Sequence, residues 1–290
     1  MSKKSGRKSR AWENIKRNAK ASPSLFCISL ILRLCVFVVM LAQARNRDYN
    51  NVFMCLLTLV LFAIPSFVER RIKIDIPNTL EAIILIFIFA AEILGEIHEY
   101  YLNYSAWDTM LHTVNGFLCA AIGVALIDIL NRHKKFSITM SPVFVALVAF
   151  CFSMTVGVVW EFYEYGSDML LRTDMQKDRI VSTVSSVSLH PDGRNIPVVL
   201  NDISETTIYY VKDGVLTEIT VEGFLDTGII DTMEDLLVNF IGASVFSVIG
   251  YFYIKHRGEG RNGRFVRRFL LTKAGEPDEE NNDWEFDLLD

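Results

Sequence analysis

Three short runs place ionisable and amide side chains at helical spacing. In WDTMLHTVNGF, Asp108, His112 and Asn115 stand at i, i+4 and i+7. In DTMEDLLVNF, Asp231, Asp235 and Asn239 stand at i, i+4 and i+8. In WEFYEYGSDML, Glu161 and Glu164 lie one helical turn apart. Such spacing lines side chains along one face of a helix. Carboxylates with an imidazole and an amide suit a divalent cation such as Mg²⁺, Mn²⁺, Ca²⁺ or Zn²⁺. Asp108, His112, Glu161, Glu164, Asp231 and Asp235 are therefore the candidate metal ligands. Asp108, His112, Glu161, Glu164 and Asp235 are also the candidate catalytic acid/base groups, with Asn239 and Asp231 as orienting residues for a bound cofactor. Crowded carboxylates are equally relieved by shared protons, or by basic residues such as Arg172, Lys177 or Arg179 folding over them. For Asp108 and Asp231 a plainer reading exists, because acids at helix N-termini are favoured by the macrodipole.

The elements that must position these residues are apolar. The chain of 290 residues is 51% hydrophobic, and its apolar residues come in blocks of about twenty, the length that crosses a hydrocarbon core. Six spans are expected, at about 24–44, 51–68, 76–98, 108–130, 141–164 and 229–254. The fold class is an all-α polytopic membrane bundle, and spans one to five occupy residues 24–164. Arg33 interrupts the first span, which argues against a cleaved leader despite the small-residue pattern Ala42-Gln43-Ala44. Polar side chains inside such spans are costly toward lipid and are expected to face the bundle interior. Glu92 is one conceivable partner for Arg33.

Charge sets the expected orientation. Segments on the N-terminal side of the membrane carry 21 of the 29 lysines and arginines, and those on the opposite side carry 7. Both termini are thus expected in the cytoplasm and residues 165–228 outside, at the plasma membrane. The basic N-terminus, 1–23, and the tail, 255–290, flank the membrane; the tail starts basic and ends acidic. The 165–228 segment reads as a small β insert of about four strands. In VKDGVLTEITV, Asp213-Gly214 sits between alternating residues, a hairpin signal. RIVSTVSSVSL supplies another strand, followed by the turn HPDG.

The five cysteines all lie in apolar blocks without zinc spacing, and nothing in their placement suggests a disulfide framework. There is no phosphate-binding P-loop, no G-x-S-x-G and no H-E-x-x-H, and no nucleic-acid module. Gly116, Gly242 and Gly250 are expected at close helix crossings.

The runs WDTMLHTVNGF, WEFYEYGSDM with Gln176, and DTGIIDTMEDLLVNFIGA resemble the YjdF-like family of bacterial membrane proteins. A looser likeness extends to the VanZ-like family, linked to glycopeptide resistance. On that likeness Asp108, His112, Glu164, Gln176, Asp235, Asn239 and Gly242 occupy the family's motif positions. Thr109 stands where that family has lysine, and the β insert separates its second and third motifs.

Residues and topology together suggest a polar site at the outer membrane face. Its expected ligands are a divalent cation and an amphipathic or lipid-linked envelope molecule. Two alternatives belong to other classes. An ion- or proton-coupled transporter would relay protons through the carboxylates. A non-catalytic assembly subunit would bind a partner through the insert.

Overall fold

The computed structural model describes residues 22–72, 74–132, 140–256 and 265–273. The chain is a helical membrane bundle with small strand pairs, and it divides into two compact units. One holds the chain through Met154 and again from Asn239; the other is Thr155–Val238.

In the first unit, α1 (Pro23–Asn46) starts on a proline, whose fixed φ suits a first helical turn. It stops where Arg47 turns left-handed, at φ 59°. Asp48 then caps α2 (Tyr49–Leu61), accepting a hydrogen bond from the Asn51 N–H at 3.1 Å. The helix breaks at Phe62 and resumes as α3 (Ile64–Ile72). Pro65 explains the break, because it has no N–H for the preceding turn. The break also explains the intramembrane cation. Arg33 donates to the Phe62 carbonyl at 3.0 Å and to that of Ser29 at 3.1 Å, and it lies over the Phe62 ring. A guanidinium at a helix C-terminus satisfies both orphan carbonyl and dipole. Its hydrogen bonds therefore go to backbone carbonyls, not to Glu92 as considered above.

The third expected span departs from a regular helix. After β1 (Ile74–Asp75), α4 (Asn78–Phe89) widens into a π-helix over Ala90–Ile97. The short α5 (Tyr100–Asn103) precedes α6 (Trp107–Arg132). Then come α7 (Pro142–Leu171) and, beyond the insert, α8 (Ile229–Lys255). Among the described residues, five helical segments are long and apolar enough to cross a membrane: Pro23–Asn46, Tyr49–Arg71, Trp107–Leu130, Pro142–Leu171 and Ile229–Lys255. The composite of α4 and the π-helix takes the place of the remaining expected span.

Small residues let the backbones of this unit approach closely. A Cβ on Gly242 would collide with the Thr113 carbonyl, and one on Gly116 with the Asn239 carbonyl. The expectation for these two glycines holds, as does that for Gly250, which abuts Val124. Ser153 donates to the Gly116 carbonyl at 2.7 Å, joining α7 to the same crossing.

The tail differs from its expected role as a simple membrane flank. Val266, Phe269, Leu270 and Leu271 are buried in the same core as Leu118, Ala121, Val124 and Phe246. The Phe269 ring meets Phe117 and Phe246 edge-on, at 5.7 and 5.8 Å between centroids. Residues Thr272–Lys273 form β8, antiparallel to β1. Phe246 lies nine residues before the end of α8, about 13 Å along the helix axis. Residues 266 and 269–271 thus pack in the bundle core, beside the middle of α8. The expectations for 1–21, for 257–264 and for the acidic end from 274 fall outside the described residues.

In the second unit, α7 runs on to Leu171, seven residues past its expected end. The insert has six short strands, not four, in three antiparallel pairs. The outermost pair, β2 (Ile180–Val181) with β7 (Phe224–Leu225), closes the neck. Within it lie β3 (Val184–Ser186) with β4 (Val198–Leu200), and β5 (Thr206–Lys212) with β6 (Val215–Val221). Asp213 and Gly214 both have positive φ, 52° and 79°, as the two-residue turn read from Asp-Gly requires.

Candidate functional site

On α7, the residues Gly157, Glu161, Glu164 and Ser167 are buried, at steps of four, three and three. Glu161 is 4% exposed and Glu164 7%, so neither is an acid at a water boundary. The opposite face, with Val159, Tyr163 and Leu170, is exposed and apolar. The carboxylates of WEFYEYGSDML thus belong to the inward stripe of a continuing helix.

On α8 the same rule operates. Asp231 and Asp235 are 6% and 3% exposed, while Met233 and Leu237 point outward. Within the second unit this brings Glu161, Glu164 and Asp235 together. One carboxylate oxygen from each lies within 4.8 Å of the others. The Trp160 indole N–H donates to Glu164 Oε1 at 2.7 Å and orients that carboxylate. Three acids at this spacing form a set that a divalent ion can bridge.

Asp231 engages the loop after α7. It accepts the Lys177 backbone N–H at 3.0 Å and faces the Arg179 guanidinium at 3.7 Å. Arg179 also pairs with Glu234 at 2.8 Å, and that hydrogen bond raises its already high pKa. Gln176 Nε2 donates to the Thr232 hydroxyl. Of the basic residues considered above, Arg179 reaches acids of α8 with its side chain and Lys177 with its backbone N–H.

Two further acids, which the sequence reading did not single out or left as ordinary surface groups, hold this loop. Asp168 accepts the N–H groups of Met175 and Gln176 and the Thr173 hydroxyl, at 2.7–2.8 Å. Asp226 accepts the N–H groups of Arg179, Gly228 and Ile230 at 2.6, 3.2 and 3.0 Å. Burial opposes charge on Asp226, but these three donors outweigh it and hold its pKa below the ordinary carboxylate value. A sequence signal existed for both. Each is an Asp at a helix boundary beside residues that must turn, where its short side chain can cap loop N–H groups.

The remaining candidates belong to the first unit. Asp108 Oδ1 and His112 Nε2 are 3.4 Å apart, one turn along α6, and His112 is 7% exposed. Asn239 is 1% exposed at the crossing with Gly116, its amide N–H directed at the Met154 sulfur at 3.5 Å.

A cavity of about 430 Å³ lies in the second unit, between α7 and the start of α8. Val158, Glu161, Phe162 and Tyr165 line it from α7, and Ile229, Thr232 and Leu236 from α8. Gln176 and Thr227 complete the wall. Sequence reading did not find it, because its lining comes from three separate stretches.

No curated protein and no solved structure matches the chain. A family model does: that of the predicted membrane protein family DUF2238, over residues 27–256, which takes in every candidate residue above. The chain therefore belongs to the DUF2238, or YjdF-like, family of membrane proteins.

Proposed function

We propose that the protein is a membrane-embedded cation site that engages an amphipathic envelope molecule. Glu161, Glu164 and Asp235 are the metal ligands in this reading, and the ion is a hard divalent cation such as Mg²⁺ or Mn²⁺. The carrying observation is the approach of three buried carboxylates to within 4.8 Å. Asp231 anchors the loop after α7 in this reading; within the first unit, Asp108 and His112 are read as an acid/base pair and Asn239 as an orienting amide. The charge asymmetry of the loops supports an outward-facing site and cytoplasmic termini, at the plasma membrane. The resemblance of the Asp, His, Glu, Gln, Asp and Asn order to the motifs of the VanZ-like family is in keeping with an envelope ligand.

One observation favours a second reading, in which the insert binds a protein partner. The β5–β6 hairpin exposes Tyr209, Val211 and Leu216, side chains that two strands cannot bury by themselves.

The test uses the full chain in phosphatidylcholine nanodiscs. Retained Mn²⁺ is read from the electron paramagnetic resonance signal of the free ion. The parent is expected to bind one Mn²⁺, and Glu161→Gln and Asp235→Asn to lose it. Equal retention by parent and both variants would remove these residues from any metal site. Loss of function on deleting residues 206–221, with Mn²⁺ binding intact, would favour the partner reading.

A further inference from the structure

The cavity shares Glu161 with the carboxylate set, and the rest of its wall is largely apolar. Its volume of about 430 Å³ lies within the range of about 300–1,000 Å³ usual for small-molecule sites. Phe162, Tyr165, Ile229 and Leu236 offer no charge to a ligand, and Thr227, Thr232 and Gln176 offer only neutral polar groups. Such a wall favours an uncharged hydrocarbon segment. Glu161 alone would repel an anionic head, but a bridging cation reverses that sign. Three carboxylate ligands leave positions open on a six-coordinate ion, and phosphate oxygens commonly fill them on Mg²⁺.

We infer that the cavity receives the first carbons of an alkyl or isoprenyl phosphate, whose phosphate oxygens complete the coordination of the cation held by Glu161, Glu164 and Asp235. The inference rests on the cation-site reading above and adds the ligand's chemical class. The loop carrying Gln176 bounds the site, fixed by Asp168 and by the Gln176–Thr232 hydrogen bond. Recognition then has two independent parts: the ion reads the phosphate and the cavity reads the chain.

The experiment separates those parts with soluble probes. The full chain in phosphatidylcholine nanodiscs is titrated with Mn²⁺ alone, with inorganic phosphate, with hexyl phosphate and with hexanol; empty nanodiscs are the control. Hexyl phosphate is expected to tighten Mn²⁺ retention at least tenfold beyond inorganic phosphate, and hexanol to have no effect. Val158→Phe, which fills the cavity, is expected to keep Mn²⁺ binding and abolish the hexyl advantage. Ile229→Phe repeats the test from the other wall, should the first variant misfold. Mn²⁺ binding with equal gains from both phosphates overturns the ligand class alone. A hexyl advantage that survives in both folded variants overturns the cavity assignment. Absence of carboxylate-dependent Mn²⁺ binding overturns the cation site, and this inference with it.

Discussion

Replacing Asp235 with Asn should change the protein's stability in opposite directions with and without a divalent ion. Two unit charges 4.8 Å apart, the outer limit of the set, repel by about 3.5 kcal/mol at an effective dielectric near 20. Three charged acids make three such pairs, or about 10 kcal/mol, more than a folded protein readily tolerates. Protonation of one carboxyl leaves one charged pair. Asp235→Asn then relieves at most that one pair, about 3.5 kcal/mol at the outer separation, while keeping the side chain's shape. In a chelator the variant should therefore melt higher than the parent. With Mn²⁺ at 100 times its dissociation constant, the parent gains about 2.7 kcal/mol by mass action. The variant, lacking one ligand, gains little. Thermal unfolding in nanodiscs, followed by tryptophan fluorescence in EDTA and in Mn²⁺, reads both signs. The reasoning fails if the variant melts lower than the parent in EDTA, or if it keeps the full Mn²⁺-dependent shift.

Three further outcomes follow from the packing and the loop. Asp226 has a lowered folded pKa, so its contribution is present above the unfolded value of about 3.9 and is lost as pH falls through the lower folded value. Protection of the Arg179, Gly228 and Ile230 amides, taken relative to the intrinsic exchange rate at each pH, should fall at acid pH in the parent and should already be low at neutral pH in Asp226→Ala. Gly242→Ala forces a methyl group onto the Thr113 carbonyl and should cost about 1–3 kcal/mol or more, measured as a fall in the unfolding midpoint. Phe269→Ala removes a ring packed on Phe117 and Phe246 and should cost about 3–5 kcal/mol, whereas a simple membrane flank would show almost no change.

Much of the helical architecture was readable because hydrophobic length and period are local properties. Blocks of about twenty apolar residues located the long helices, and Asp213-Gly214 located a hairpin whose turn demands positive φ. The i, i+4 spacing of Asp231 and Asp235 marked a buried stripe correctly, since charge on the outer face of an apolar helix is too costly. The end of α7 was placed at 164, seven residues short, because local composition does not distinguish an acid at a water boundary from one buried against a neighbour; Glu161 and Glu164, read as candidate ligands, lie inside the continuing helix. The π-helical widening over Ala90–Ile97 left no mark either, because hydropathy does not reveal which carbonyl an N–H selects.

By itself, then, the order of residues determined which segments are apolar enough to cross a bilayer and which helical faces turn inward. Tertiary structure alone decided that Arg33 answers the carbonyl exposed at the Phe62 break, and that Phe269 returns to the bundle core. It also decided that Asp235 meets Glu161 and Glu164 beside a cavity. The physical reason is one of range. Periodicity is written within a single turn or two, whereas a meeting of residues about seventy positions apart depends on how whole helices pack.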